Sequence, residues 1–572
     1  MLAQHFWLLV LWIVIGAGFR FINLGILPPW TDESATLVFS LGNSFYNVPL
    51  NQFIDLSTLL EPLQLNGSAG IKDVTNLLLT QSTHPPLYFV LTHLWLKLFP
   101  PVDGLVSIWA ARSLSALLGV MAIPAIFFFA KLAFNSLIVA QIAAAMMAIS
   151  PFGVFLALQA RHYTLIILLI IASLSCFICA FRSVNRGVII PLWLVLAWIV
   201  INCLGEATHY FFVLTLASMA IAFVPLIWQQ FRQDKTMLGT SSWQRIYVAG
   251  LGSLIGCLVW LPSMMAVRHS SPTEWIYNSN ADSRWLEPIG RFLLWLMSTV
   301  ILLPSSLYDF PLSVIIISGI ITLIFWLWHL PPLIRGLKLQ RQNAASREAI
   351  AALSGYFMAA IALFFFFTYI LGMDLTLAGR FQFVYFPVVI VLIAASLGHI
   401  WDAKNTALKK QSAQHFWFSP QNYYGKTIVV VFLTVGFLGG VIANLNLGYL
   451  QNHRPDLAIA KIAEGSKARI AIATTYRHHG QTGRMIGLAW GLKNLSNIKS
   501  PQFFLAREEL ENASEDSATI LSQKLSQIER PLDLWLVNFD GDVELESQNC
   551  FADSEYKGMV GQYKYKLYRC QD

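Results

Sequence analysis

Residues 166–178 read Ile-Ile-Leu-Leu-Ile-Ile-Ala-Ser-Leu-Ser-Cys-Phe-Ile, a continuous apolar run that contains no charged residue. Similar runs occupy residues 8–15 and 428–442. They are too apolar for surface helices of a soluble protein, which carry a polar face. Of the 572 residues, 56% are hydrophobic and 12% are charged, and the mean hydropathy is +0.58. A soluble domain has about 25% charged residues. The sequence therefore predicts a membrane protein and excludes a soluble enzyme, a disordered chain, a collagen and a disulfide-rich secreted module.

The number of membrane spans follows from the length of the apolar runs, because a spanning helix needs about 20 apolar residues. The first run, residues 6–22, has no basic segment before it and no small-residue cleavage site after it, so we predict a retained transmembrane helix. We predict eleven spans, at residues 5–25, 112–131, 136–156, 161–181, 188–205, 208–229, 246–267, 311–331, 350–371, 381–400 and 427–447. Two further apolar stretches, 85–100 and 288–303, would make thirteen. We expect both to lie on the outer side instead.

The basic residues predict the orientation of the chain. The net charge is +7, but the positive side chains lie in short loops between apolar runs, which is typical of cytoplasmic loops rather than of a nucleic-acid site. We therefore predict no nucleic-acid partner, a cytoplasmic N-terminus and a C-terminus outside. The cytoplasmic loops would contain Arg182, Arg186, Arg232, Lys235, Arg245, Arg335, Lys338, Arg341, Arg347, Lys404, Lys409 and Lys410.

The last part of the chain differs in composition from the rest. Charged residues return after about Arg454, and residues 468–474, 532–537 and 563–568 have the lengths and patterns of strands. Residues 508–525 are a candidate helix region. We therefore divide the chain into a membrane domain, 1–450, with a first outer loop at 26–111, and an extracytoplasmic α/β domain, 451–572.

The cysteines of the tail agree with an outer location. Cys550 and Cys570 are the only cysteines after residue 450, and an oxidising compartment would allow them to form a disulfide. Such a bond would close a loop of about 20 residues and stabilise the domain by roughly 3 kcal/mol. Two free thiols are the alternative.

Unusual polar residues collect on the predicted outer face. Asp32 and Glu33 follow the first span, where two adjacent carboxylates are costly unless they are used or paired. The alternative for this pair is a helix N-terminus, which favours acidic residues.

Arginine at a water–lipid boundary suits a phosphate, since its planar fork donates two hydrogen bonds. Snorkelling toward headgroups is the alternative for Arg112. The other outward groups are His84, Gln159, Arg161, Tyr163, Glu206, His209, Tyr210 and Arg380.

In their order along the chain these residues resemble the motifs of the GT-C superfamily of polyprenyl-phosphate-sugar-dependent membrane glycosyltransferases. The pattern is most similar to protein O-mannosyltransferase-like proteins and to the lipid A aminoarabinose transferase. Three residues depart from it: Leu114 replaces a proline, Phe381 replaces a tyrosine, and Gln159 stands where the family often has a glutamate. Glu206 is our candidate for that second carboxylate. The matching segments are Asp32-Glu33, His84 to Tyr88, Arg112 to Gly119, Ser150-Pro151 with Arg161 and Tyr163, His209-Tyr210, and Arg380-Phe381.

The resemblance implies an inverting transfer of a monosaccharide from a polyprenyl phosphate to a protein, lipid or glycan acceptor outside a bacterial plasma membrane. Asp32 would be the general base, and Glu33 would orient the acceptor or share a divalent metal ion; no cofactor is certain. The leaving phosphate and the sugar would be bound by His84, Arg112, Arg161, Tyr163, His209, Tyr210 and Arg380. The alternative function is a transporter or lipid flippase with an outer partner-binding domain, which explains the spans equally well. It does not explain why the polar groups collect on one face.

Overall fold

A computed structural model describes residues 2–267, 270–277, 284–402, 424–451, 453–495, 500–508, 516–541 and 543–571. The chain forms two compact units. The helical unit consists of Met1–Ile22, Ser115–Arg268 and Glu274–Leu450. The mixed unit consists of Asn23–Leu114, His269–Thr273 and Gln451–Asp572. The predicted cytoplasmic residues Lys404, Lys409 and Lys410 lie outside the described residues.

Helices dominate the described part of the chain. They are α1 (Leu2–Phe21), α2 (Thr31–Ser40), α3 (Leu56–Leu60), α4 (Ile71–Gln81), α5 (Leu87–Leu96), α6 (Ile108–Phe134), α7 (Leu137–Ile149), α8 (Pro151–Ala157), α9 (Tyr163–Arg186), α10 (Leu192–Glu206), α11 (Phe212–Gln233), α12 (Ser241–Val259), α13 (Leu261–Val267), α14 (Glu274–Tyr277), α15 (Glu287–Ser298), α16 (Leu312–Gln342), α17 (Ala344–Tyr369), α18 (Phe386–Asp402), α19 (Tyr424–Asn444), α20 (Pro455–Gly465), α21 (His479–Leu492) and α22 (Ser517–Leu525).

The structure confirms the predicted class of polytopic helical membrane protein. Seven described helices are long and apolar enough to cross a membrane: α1, α6, α9, α11, α16, α17 and α19. Helices α7 and α8 form one further apolar segment with a bend of 53°. The other three predicted spans also coincide with helices, but α10 and α18 have only 15 and 17 residues, and α12 begins with a polar turn. Eleven spans are therefore more than these lengths and compositions support.

The two ambiguous apolar stretches form helices that are too short to span a bilayer. Helix α5 has 10 residues and α15 has 12. At 1.5 Å per residue they are about 15 and 18 Å long, whereas the hydrocarbon core is about 30 Å thick. The structure thus does not support thirteen spans.

The bend between α7 and α8 shows how the helical unit accommodates a buried charge. Pro151 has no backbone N–H, so it cannot donate to the carbonyl of Met147 as the next turn of α7 would require. Arg20 of α1, which is 1% exposed, donates instead to the carbonyls of Met147 and Ala148, at 2.8 and 2.9 Å. This arginine therefore satisfies carbonyls that the break in the helix leaves without partners.

The mixed unit contains a six-stranded sheet. Its strands are β1 (Phe53–Asp55), β2 (Arg469–Tyr476), β3 (Gln502–Arg507), β4 (Leu532–Val537), β5 (Cys550–Val560) and β6 (Tyr563–Cys570), in the order β1-β3-β2-β4-β6-β5. Strands β2, β3 and β4 are mutually parallel, and the connections between them contain α21 and α22. Their apolar side chains are almost all buried, as expected for parallel strands. The predicted α/β domain is thus present.

The structure corrects the predicted division of the first outer loop. The boundary at residue 450 agrees with the structural one, but Asn23–Leu114 belongs to the same compact unit as the tail. Strand β1 of this loop pairs with β3, where Ile54 lies opposite Phe503. The reason is that a sheet edge can accept a strand from a distant part of the chain, and no local pattern records this pairing.

The predicted disulfide is confirmed. Cys550 and Cys570 are bonded, and they lie directly opposite each other on the antiparallel strands β5 and β6.

Candidate functional site

The acidic pair lies in the first turn of α2. The helix begins at Thr31, and the backbone N–H of Trp30 donates to Oε2 of Glu33 at 3.4 Å. A carboxylate at this position satisfies an amide that the helix leaves free, and it interacts favourably with the positive end of the helix dipole. The capping interpretation is therefore correct for Glu33.

Glu33 and Arg112 form a buried ion pair. Nε and one terminal nitrogen of Arg112 donate to the two carboxylate oxygens of Glu33, each at 2.7 Å. The side chain of Glu33 is 1% exposed and that of Arg112 is 5% exposed. This bidentate geometry is the strongest form of charge-assisted hydrogen bond that arginine makes with a carboxylate.

Arg112 also binds the segment that leads to α2. Its terminal nitrogens donate to the carbonyls of Leu24, Leu27 and Pro28 at 2.9 to 3.3 Å. All five N–H groups of its guanidinium are thus used by the protein. The structure therefore gives Arg112 a different role from the predicted phosphate contact: it fixes the position of the acidic pair.

Asp32, the predicted general base, is not part of this ion pair. It is partly exposed, unlike Glu33. Its charge acts on His479, the first residue of α21. Ser34, two residues further along α2, donates from Oγ to the carbonyl of Gly483 at 3.0 Å. Two parts of the mixed unit that are more than 400 residues apart in sequence thus meet beside Asp32.

Two histidines stand at the N-terminus of α21: His478 is the N-cap, and His479 is the first residue of the helix. Burial, followed by the neighbouring His478, lowers the pKa of His479 to about 4, while Asp32 acts in the opposite direction. Burial and the guanidinium groups of Arg484 and Arg477 lower the pKa of His478 to about 4. Both imidazoles are therefore neutral near pH 7. Sequence analysis missed both, because no local signal relates residue 479 to Asp32.

His84 has local contacts. It lies before α5, as the paired prolines predict, and its Nδ1 lies 3.3 Å from Oγ of Ser82 and 3.4 Å from Oγ1 of Thr83. Its ring also contacts Phe89. These contacts do not test its predicted role toward a phosphate.

The helical unit brings together three of the predicted site residues, Arg161, His209 and Arg380, which we call the basic group. Burial and then the charges of Arg161 and Arg380 lower the pKa of His209 to about 3. His209 is therefore neutral at physiological pH. Its Nδ1 accepts a hydrogen bond from the backbone N–H of Phe211 at 3.0 Å, so its single proton lies on Nε2, which is a hydrogen-bond donor.

Arg161 is held by the second half of the Arg112 to Gly119 motif. The hydroxyl of Ser115 donates to the carbonyl of Arg161 at 2.9 Å and accepts from its N–H at 3.3 Å. The side chain of Arg161 is 1% exposed, and its guanidinium lies 5.7 Å from the ring centre of Tyr163. Tyr163 in turn contacts His209 and stacks on Phe383. The predicted pair Arg161 and Tyr163 therefore belongs to one cluster with His209.

Arg380 is the second residue of a short 3-10 helix, Gly379–Val384, and lies among aromatic rings. Its guanidinium lies 5.4 Å from the ring centre of Trp275 and 5.5 Å from that of Phe381. Gly379 is required for this arrangement, because a Cβ there would lie 2.5 Å from the ring of Trp295.

The loop before Arg380 is fixed by a polar network that sequence analysis missed. Asp374, which is fully buried, accepts from Arg291 at 2.6 Å and from the hydroxyl of Thr376 at 2.6 Å. Trp295 donates to the carbonyl of Thr376 at 2.9 Å. The signal in the sequence was Asp374 itself, a carboxylate between two apolar runs.

Glu206 and Tyr210 have other surroundings. Glu206 is fully buried, and within the described part of the chain neither carboxylate oxygen has a hydrogen-bond partner. The ring of Tyr210 contacts Trp260. The predicted roles of Glu206 and Tyr210 stay predictions.

The described residues do not form an obvious metal site. They contain no group of three or more His, Cys, Asp or Glu side chains that could hold a metal ion. Both oxygens of Glu33 are bound by Arg112, whose positive charge disfavours a cation beside them. Glu33 is therefore a poor ligand for the divalent ion that the resemblance implied.

No protein-family model and no curated protein matches the chain. Solved structures similar to it include ArnT from Cupriavidus metallidurans, in the apo state, with 13% identity, a TM-score of 0.48 and coverage of 99% of this chain and 98% of that one. Archaeal oligosaccharyltransferase AglB from Archaeoglobus fulgidus, in complex with an inhibitory peptide and a dolichol-phosphate, has 11% identity and a TM-score of 0.48 over 98% of this chain and 74% of that one. The chain is likewise similar to ArnT bound to undecaprenyl phosphate, at 12% identity and a TM-score of 0.49, over 98% of its own length and 97% of that of ArnT.

Proposed function

We propose that the protein is an inverting glycosyltransferase that moves a monosaccharide from a polyprenyl phosphate to an acceptor on the outer face of a bacterial plasma membrane. The acceptor is a protein, a lipid or a glycan. In this proposal the basic group binds the phosphate of the donor, and Asp32 removes the proton of the acceptor hydroxyl.

The observation that carries the proposal is the basic group. Two guanidinium groups act together on one neutral histidine, which offers its Nε2–H. A phosphate oxyanion suits such a group, because arginine donates paired hydrogen bonds to it and the neutral imidazole adds a donor without adding charge. The role of this group would be to stabilise the negative charge that develops on the leaving phosphate.

The choice of Asp32 as the base follows from its contrast with Glu33. Glu33 is buried, and both of its oxygens are bound to Arg112, so it has little freedom to accept a proton from a substrate. Asp32 is partly exposed and lies next to it on the same helix. A general base must be able to reach the proton that it removes.

The proposed step is a single displacement. Asp32 accepts the proton of the acceptor hydroxyl while the acceptor oxygen forms a bond to the anomeric carbon. The bond between the anomeric carbon and the phosphate oxygen breaks, and its electron pair remains on the polyprenyl phosphate. Attack from the face opposite the leaving group inverts the anomeric carbon.

The test uses the full-length protein in detergent with a panel of polyprenyl-phosphate-linked monosaccharides and candidate acceptors. Release of free polyprenyl phosphate is measured for the wild type, for Asp32→Asn and for the control Asp103→Asn. Asp103 belongs to the same unit and is 73% exposed. We expect Asp32→Asn to reduce release at least 100-fold, in line with the contribution of a general base, and Asp103→Asn to keep wild-type release.

Equal release by the wild type and Asp32→Asn would contradict the assignment of the base. Binding of the lipids without release from any donor would contradict the transferase and favour a transporter or flippase.

A further inference from the structure

Helix α21 of the C-terminal region has three glycines on one face. Gly483, Gly487 and Gly491 are four residues apart, so they lie one above the other along the helix. We call them the glycine face. Glycine costs a helix interior about 1 kcal/mol relative to alanine, so three of them in 14 residues need a structural reason.

The reason is the close approach of the segment that carries the acidic pair. A Cβ on Gly487 would lie 2.5 Å from the carbonyl oxygen of Pro29, which is closer than atoms can approach. A Cβ on Gly483 would lie 3.2 Å from both Cβ of Ser34 and the carbonyl oxygen of Thr31. The backbone before and within the first turn of α2 therefore lies directly on the backbone of α21.

Polar contacts fix the same segment on either side of Asp32 in sequence. Ser34 donates to the carbonyl of Gly483, and Glu33 binds Arg112, which also holds the carbonyl of Pro28. The backbone of Asp32 thus has little freedom, although the residue remains partly exposed.

We infer that the glycine face is a positioning surface for Asp32, so that the C-terminal region forms part of the catalytic unit. This inference rests on the proposed function, in which Asp32 is the base. It assigns to residues 479–492 a role that the sequence left open, because an outer domain of this kind could equally recruit an acceptor or a partner without contributing to the chemistry.

The contact itself is tested by a disulfide in the full-length protein. The distance of 3.2 Å between Cβ of Ser34 and a Cβ on Gly483 is close to the 3.5–4.5 Å of native disulfides. We expect the double variant Ser34→Cys with Gly483→Cys to form a bond that mass spectrometry detects after proteolysis. The control is Ser34→Cys with Gly491→Cys, because Gly491 lies about two turns, or about 12 Å, along α21 from Gly483. Absence of the first bond, or equal formation of both, would overturn the inference.

The positioning role is tested by Gly487→Ala. Its Cβ meets a backbone oxygen that cannot rotate away, so the segment around Pro29 must move. A displacement of about 1 Å at a catalytic group can cost about 100-fold in rate. We expect kcat to fall by about this factor while KM for the lipid donor is unchanged, since the basic group is not altered. The matched control is Gly67→Ala in the same compact unit, whose Cβ would meet no atom within 4 Å, and which should keep wild-type kcat.

Unchanged kcat in Gly487→Ala, or an equal loss in Gly67→Ala, would overturn the inference. Asp32→Asn is measured in the same assay to separate this failure from that of the proposed function. If Asp32→Asn is inactive and Gly487→Ala is fully active, the positioning role of the glycine face is wrong and the proposed base is not affected. If Asp32→Asn is fully active, the assignment of Asp32 as the base is wrong, and the inference that rests on it is wrong as well.

Discussion

The two units use arginine in opposite ways, although sequence motifs gave Arg112, Arg161 and Arg380 the same expected role. In the mixed unit the charge of Arg112 is neutralised by Glu33, and every donor is bound by the protein. In the helical unit burial, followed by the charges of Arg161 and Arg380, lowers the pKa of His209 to about 3. The first arrangement holds a chain segment in place. The second would suit the phosphate that we propose as its ligand.

The contrast between the two units is tested most directly at the ion pair of Glu33 and Arg112, where we expect a loss of stability. Arg112→Ala would leave the buried carboxylate of Glu33 without its partner, and removal of one member of a buried pair costs about 3–5 kcal/mol. We expect a corresponding loss of stability of the folded protein, measured by thermal or denaturant unfolding. The double variant Glu33→Gln with Arg112→Met should recover part of this loss because it leaves no unpaired charge. Wild-type stability of Arg112→Ala would show that the pair does not hold the segment.

The basic group is tested by Arg380→Gln, which keeps a polar side chain but removes the charge. We expect kcat for donor cleavage to fall about 100- to 1000-fold, the loss typical of one group that stabilises transition-state charge. Unfolding should change little, because the side chain is partly exposed. A comparison with Lys131→Gln, a partly exposed cation in the last turn of α6, controls for the loss of one positive charge. A variant that lost stability and kept kcat would place Arg380 in the same class as Arg112.

The smallest effect that we expect is on the pH dependence of stability, and it arises from the neutral state of His209. Because its folded pKa lies below the ordinary value of 6.5, the unfolded chain binds more protons between pH 6.5 and about 3. Its contribution to stability is therefore fully present above pH 6.5 and is lost as the pH falls through that window. We expect the melting temperature of the wild type to fall by a few degrees more than that of His209→Gln between pH 7 and pH 5. Parallel curves for the two proteins would contradict this.

The motifs gave Arg112, Arg161 and Arg380 one expected role, and they did not separate the arginine whose donors the protein binds from the two that act on His209. Arg112 and Glu33 are 79 residues apart, and their pairing depends on the packing of α6 beside the start of α2. A motif records which residue type stands at a position. It does not record whether a partner elsewhere in the chain has already satisfied its donors.

The sequence by itself determined the features that depend on neighbouring residues. Long apolar runs specify helices that need a membrane, the change in composition near residue 450 marks the end of the membrane part, and Cys550 and Cys570 formed the predicted disulfide. Only the tertiary structure decided which distant segments contact each other. Examples are the pairing of β1 with β3, the close approach of Pro29 to Gly487, and the hydrogen bond from Arg291 to Asp374. The physical reason is that hydropathy and helix capping act over a few residues. Strand pairing, buried ion pairs and the close approach of backbones depend on contacts between residues far apart in the chain.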